Sequence, residues 1–235
     1  SRPSAIDVYS SDISVDSIEV RGGGGGVNFS LAGTCDPDQN TGEVLDSDFL
    51  GLHGLGIRAV CGSGIRIAGN DIAAAGLGIG AGGPFAGAVT GLSIERNTIH
   101  DADTGVLFEG VTGSTVSNNT VTNNPWGISL QEASGCRGAD PAWQCFPSQD
   151  NLIVGNQMWG NGIDLRHDQG STQNTWQDNI CESSSGQDIP RCPPTKVTFC
   201  GQTIRGDARL EADLAWGENT PQAIVVASSG VTLDL

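Results

Sequence analysis

The chain has 235 residues, with 35 Gly and 10 Pro, 37 % hydrophobic and 5 % aromatic residues, and a formal net charge of -16. Glycines and prolines cost about 1 and 3 kcal/mol each inside a helix, so this composition excludes a helix-rich fold. With Lys+Arg 11 against Asp+Glu 27, and Lys196 the single lysine, the charge speaks against nucleic acid and anionic membranes as partners. No run approaches the ~18 apolar residues of a membrane helix, so no membrane insertion is expected.

In chain order, the predicted elements are short and similar. Ala5-Ile6-Asp7-Val8 opens the series, and a degenerate hexad, Val15 to Val20, has Ile18 at its fourth position. The glycine run Gly22 to Gly26 leads into Gly26-Val27-Asn28-Phe29, a strand and not a helix, so it reads as a turn and not as a phosphate cradle. A second degenerate hexad, Leu45 to Leu50, puts Asp48 in the fourth slot. Five clearer hexads follow at Ile67 to Ile72, Ile94 to Ile99, Val116 to Val121, Ile153 to Met158 and Trp176 to Cys181, with Asn70, Asn97, Asn119, Asn156 and Asn179 fourth. Small-apolar-x-apolar partners begin at Gly56, Gly78, Gly105, Gly127 and Gly162.

The fourth positions are spaced 30, 22, 27, 22, 37 and 23 residues apart, so the smallest coil is 22 residues and longer ones carry insertions. Period-two alternation marks strands with one buried face, and the steps between them are turn residues. A unit this small cannot bury its apolar face alone and must stack on its neighbours. The expectation is an all-β, right-handed parallel β-helix of about seven to nine coils, with Asn70, Asn97, Asn119, Asn156 and Asn179 aligned as a ladder. Asparagine suits such a site because it tolerates left-handed dihedrals and its amide bonds along the stack. A leucine-rich repeat would need leucine in most apolar slots, and a sandwich would not keep one polar residue in register over five coils.

Seven cysteines, none in a CxxC spacing, argue against a thiolate metal site. Cys136–Cys145 and Cys181–Cys192 bracket short Gly- or Pro-containing loops and read as local disulfides, with Cys35–Cys61 a weaker third and Cys200 left over. Such pairing implies an oxidising, extracellular compartment.

The Asn hexads joined to G-I-x-L resemble the parallel β-helix repeats of carbohydrate-binding and sugar-hydrolase domains, NosD-like and C5-epimerase-like proteins and polysaccharide lyases. The resemblance covers residues 5 to about 181 and concerns fold, which does not fix function. Lys196 to Leu235 resembles the opening of such domains, a C-G-x-T-I segment, a D-x-x-L-x-x-D-L cap and a G-V-T-L-D-L strand; Ala215 and Trp216 stand where a cysteine often follows the cap. The chain therefore reads as the body and end of a solenoid (1–192), a linker (193–196), and a segment resembling the cap and first coil of another (197–235).

The densest titratable group is Asp164, Arg166, His167 and Asp168, with Glu109 and the pair Gln131 and Glu132 expected at equivalent places on the preceding coils. Glu109, Gln131 and Arg166 are expected in one outward row, where a base, a cation and an acid serve proton abstraction beside a uronate carboxylate. Trp143 is the best-placed sugar-stacking aromatic, and Gln131 and Glu132 are candidate substrate contacts. Asp101 and Asp103 are candidate Ca²⁺ ligands; no cofactor is assigned beyond that ion. Solvated polar turns account equally for both acidic groups. The function expected is a noncatalytic extracellular structural subunit, stacking head to tail on copies of itself into a fibre, sheath or adhesin-like array. The alternative is a polysaccharide lyase or C5-epimerase acting on uronate polymers.

Overall fold

The computed structural model describes residues 4–29, 41–74, 76–83, 89–133, 146–168, 170–186 and 188–192, and within the tail five strands, Thr195–Val197, Gln202–Ile204, Ala208–Leu210, Ile224–Val226 and Leu233–Asp234. Among the described residues every regular element is a strand, and every named pairing is parallel. Three long sheets run the length of the body. Sheet 1 is Ser4–Val8, Gly25–Phe29, Ile57–Ala59, Leu77–Gly82, Thr104–Glu109, Trp126–Gln131, Ile163–His167 and Ser184–Gly186. Sheet 2 has seven strands, from Ile13–Asp16 to Thr175–Gln177, and sheet 3 has six, from Glu19–Arg21 to Gln157–Trp159. A short fourth sheet joins Gly62–Ser63, Val89–Thr90 and Val111–Thr112. The chain visits sheets 1, 2 and 3 in turn and returns, which is the parallel β-helix read from the hexads.

The apolar alternation becomes stacked interior rows. Val15, Val44, Ile67, Ile94, Val116, Ile153 and Trp176 lie in register along sheet 2. Val20, Phe49, Ile72, Ile99, Val121 and Met158 do the same along sheet 3. Sheet 1 contributes Ile6, Val27, Ile57, Ile79, Val106, Ile128 and Leu165. Most of these are fully buried, each worth roughly 1.5–3 kcal/mol of transfer free energy. The extra residues of the longer coils fall between the sheet 1 and sheet 2 strands, after Phe29, Gly82 and Gln131.

Where sheet 2 turns into sheet 3, each asparagine donates its Nδ2 to the Oδ1 of the next: Asn70 to Asn97 at 2.9 Å, Asn97 to Asn119 at 3.0 Å, Asn119 to Asn156 at 2.9 Å and Asn156 to Asn179 at 2.9 Å. The slot before Asn70 belongs to Ser47 and not to Asp48, because the Ser47 N–H donates to Asn70 Oδ1 and the Ser47 Oγ accepts from Ile18 N. Asp48 is one place on and exposed. The left-handed backbone expected of the asparagines belongs instead to the residue before each slot: Ser17, Asp46, Gly69, Arg96, Asn118, Gly155 and Asp178 all have φ between 42° and 71°. That residue turns the corner, and the turn swings the following side chain into the stack.

At the corner leading into sheet 1 stands a column of glycines, Gly26, Gly56, Gly78, Gly105 and Gly127. A Cβ on Gly78 would fall 2.4 Å from Ile99 Cγ2 and 2.6 Å from the Gly105 carbonyl oxygen. The sixth place in the column is Asp164, since Trp126 pairs with Ile163 and Ile128 with Leu165. The Gly162-Ile163-Asp164-Leu165 motif therefore sits two residues away from the register its likeness to Gly127-Ile128-Ser129-Leu130 suggests. A slip of two keeps every side chain on its own face, so alternation alone does not detect it.

One pairing of the tail strands has the 22-residue step of several body coils. Gln202–Ile204 pairs with Ile224–Val226, 22 residues on, while Ala208–Leu210 lies between Thr195–Val197 and Leu233–Asp234.

Candidate functional site

The register decides which of the candidate residues meet. On the outer face of sheet 1, Glu109 pairs with Gln131, and Gln131 Nε2 donates to Glu109 Oε1 at 3.0 Å. Arg166 is not in that row: it pairs with Ser129, two positions earlier, because of the slip described above. It remains on the same face. There its guanidinium lies 4.6 Å from the centroid of the Trp126 ring, and its Nη2 is 3.2 Å from Asp168 Oδ1. A half-buried cation held by a ring face and a carboxylate is a fixed positive point on an acidic surface.

Asp164 and His167 face inward. His167 continues the interior row of Leu130, is 2 % exposed, contacts the Trp176 ring edge-to-face at 5.8 Å, and has Nε2 3.0 Å from Asn174 Nδ2. Asp164 is 0 % exposed; its Oδ1 accepts from Asn161 Nδ2 at 2.7 Å and its Oδ2 from the backbone N–H of Glu182 and of Ser183, at 2.5 and 3.0 Å. The expected outward acid–base group is thus divided, with Arg166 and Asp168 outside and Asp164 and His167 within the last coil. The sequence shows why for only one of them: His167 continues the interior alternation of Leu165, while Asp164 takes the corner place that glycine holds in the preceding coils, and neither placement shows until the register is known. Together with Trp176 and the Cys181–Cys192 disulfide, with Cα atoms 5.2 Å apart, they close this end of the core, and Ile189 and Cys192 pack against it.

Burial pushes the Asp164 carboxyl above its ordinary value of 3.8, against the opposing pull of its hydrogen bonds from Asn161, Glu182 and Ser183. The folded state thus holds this proton more tightly than the unfolded chain. The contribution of Asp164 is full below the unfolded value and is lost as pH rises through the folded one. We expect the stability of the native chain relative to an Asp164→Asn variant to fall as pH rises above the ordinary carboxyl value of 3.8, measured by denaturant unfolding of both proteins. A flat or rising difference would contradict the assignment.

Asp101, with a left-handed φ of 56°, places Oδ2 2.7 Å from His100 Nδ1, and His100 Nε2 lies 3.3 Å from Asp71 Oδ1. Asp103 is exposed, and buried Ala102 separates it from Asp101 in the chain. Among the described residues no three carboxylate, imidazole or thiolate side chains converge as a metal cage. Glu132 is half-buried, with Oε2 2.7 Å from the place a Cβ on Gly170 would take. Trp143 and the Cys136–Cys145 pair lie outside the described residues. Cys61 is disulfide-bonded, and Cys35, its expected partner, is likewise outside them.

Sequence reading misses two further ladders. Asn124 donates Nδ2 to Asn161 Oδ1 at 3.0 Å, and Asn151 to Asn174 at 2.9 Å. Their separations of 37 and 23 residues match the steps from Asn119 to Asn156 and from Asn156 to Asn179, a signal present in the sequence.

No curated protein matches the chain. The family model described as the right handed beta helix region matches residues 34–189, about two thirds of the chain, in agreement with the parallel winding and stacked rows, and the chain belongs to that family.

Proposed function

We propose that the chain is a noncatalytic, extracellular structural β-helix subunit that joins copies of itself head to tail. The observation that carries this reading is the partly exposed apolar row at the first coil of the described body. In the first coil Ile6, Ile13, Ile18 and Val20 are only partly buried, and among the described residues the first strands of sheets 1, 2 and 3, like the last ones, each have one unpaired edge. Their counterparts in the following coils, among them Val27, Phe49 and Ile57, are buried. At the opposite end His167, Trp176 and the Cys181–Cys192 bridge cover the interior rows, while Trp159 and Ile180 are exposed.

An open strand edge above partly exposed aliphatics is a template for another strand. The occupant we assign is the tail of a second copy, whose strands at 202–204 and 224–226 pair in parallel at a 22-residue step that coils of the body also use. Such a contact is heterologous, and unless it closes on itself it builds filaments. The two disulfide-bonded sites, Cys61 and Cys181–Cys192, and the acidic composition support secretion. The separation of Asp164 and His167 from Arg166 and Asp168 weighs against the lyase or epimerase reading.

Electron microscopy and light scattering of the full chain test the proposal. Filaments are expected, and both removal of residues 193–235 and Ile18→Asp should yield particles of single-chain mass with the β-sheet circular dichroism retained. A full chain that stays monomeric at all concentrations overturns the reading, as does release of unsaturated sugars from alginate or pectate.

A further inference from the structure

The outer face of sheet 1 contains a trench that the assembly reading does not use. On strand Leu77–Gly82 the outward position Gly80 lacks a side chain, as does Gly82 at the strand's end, where a Cβ would instead meet the Glu109 carbonyl; the register neighbours of Gly80 are Arg58 and Leu107 and that of Gly82 is Glu109. Bare backbone therefore forms a floor one coil wide. At ~4.8 Å per coil, the flanking strands stand about 10 Å apart. Leu55, Arg58, Leu77, Leu107 and Glu109 surround a cavity of about 240 Å³ over this floor.

The charges on its two sides differ in their engagement. Arg21, Arg66, Arg96 and Arg166 each pair with a carboxylate. Arg58, half-buried on one wall, makes no ion pair or hydrogen bond among the described residues. Glu109 stands diagonally across the floor on the other wall, steadied by Gln131 and free of any cation among the described residues. An anion alone would meet Arg58 but be repelled by Glu109, and a neutral sugar would leave both charges without a counter-ion. A ligand with a negative end, a positive end and an apolar body satisfies both charges and the three leucines. Two residues of extended peptide span about 7 Å, which suits charges set diagonally across such a trench once the two side chains reach inward.

We propose that this trench binds a short zwitterionic peptide, a dipeptide with free ends, its carboxylate on Arg58, its ammonium on Glu109 and its apolar side chain against Leu55, Leu77 and Leu107. Gly80 keeps the floor open. The atom nearest to a Cβ there is Leu77 Cδ1, at 2.9 Å, the far end of a flexible side chain, so Gly80→Leu fills the trench while repeating the residue that the next coil carries at Leu107.

The test is calorimetric or NMR titration of the full chain with glycyl-leucine, N-acetyl-glycyl-leucine and glucuronate. We expect saturable binding of glycyl-leucine, weakened about tenfold or more by Arg58→Gln and by Glu109→Gln, and lost in Gly80→Leu with an unchanged unfolding midpoint. The acetylated peptide and glucuronate should bind at least about tenfold more weakly than glycyl-leucine. Equal binding of either probe, binding that survives Gly80→Leu, or no binding at about 10 mM glycyl-leucine overturns the proposal. If Gly80→Leu does not fold, the two charge variants decide the matter alone.

Discussion

Replacing Asn119 with alanine is expected to destabilise the solenoid by about 3–5 kcal/mol, which lowers the unfolding temperature by on the order of 10 °C. The side chain is fully buried, and each of its four hydrogen-bonding positions is used. Oδ1 accepts from the backbone N–H and the Nδ2 of Asn97, at 2.9 and 3.0 Å, and Nδ2 donates to the Ile94 carbonyl and to Asn156 Oδ1, at 3.0 and 2.9 Å. Alanine removes all four and leaves the Asn97 N–H inside the stack without water to replace the partner, the costly way to lose a hydrogen bond. Asn119→Asp should do worse at neutral pH, because it keeps the acceptor but turns an oxygen toward two other oxygens. Asn118, one residue earlier, is exposed with φ of 54°, so Asn118→Gly should change stability by less than about 1 kcal/mol or raise it slightly. Denaturant unfolding of the four proteins separates the outcomes; equal effects at 118 and 119 would contradict a ladder in which the amide matters.

Gly78→Ala is expected to cost about 3 kcal/mol, although it adds a single methyl group and residue 78 has no left-handed φ. The new carbon would lie 2.4 Å from Ile99 Cγ2 and 2.6 Å from the Gly105 oxygen, so both a core side chain and the next coil's backbone must move. Gly56 is confined in the same way, with the Gly78 oxygen at 2.4 Å and Ile72 Cγ2 at 2.5 Å from the added atom. Gly113 is the contrast: its φ is 60° and nothing lies within 4 Å of an added Cβ, so Gly113→Ala carries only the left-handed penalty of about 1–2 kcal/mol. Unfolding midpoints in guanidinium should rank native above Gly113→Ala above Gly78→Ala. The reverse order would mean that backbone conformation, and not space, fixes the glycine column.

Much of this architecture was legible because stacking repeats the same few physical demands. Ile67, Ile94, Val116 and Ile153 occupy one interior row, and the period-two pattern that reveals them survives every insertion. What alternation leaves open is displacement by an even number of residues, which is how the segment at Ile163 slips by two and takes Arg166 away from Glu109. At the Ser47 slot the sequence offers three polar neighbours, Asp46, Ser47 and Asp48, and only the hydrogen bonds to Ile18 and Asn70 choose among them. The candidate chemistry was least legible. A carboxylate and an imidazole in the run Asp164 to Asp168 look alike whether they face solvent or close a core, and the three-dimensional partners Asn174, Trp176 and Ser183 lie several to many residues further on.

In the chain, the surplus residues of the longer coils all fall between a strand of sheet 1 and the following strand of sheet 4 or sheet 2, after Phe29, Gly82 and Gln131. Because the entropy of closing a loop rises only slowly with its length, that seam tolerates growth and loss of sequence while pitch and register are set elsewhere. One longitudinal edge of the rod is thereby freed to diversify, and the remaining faces hold the ruler constant.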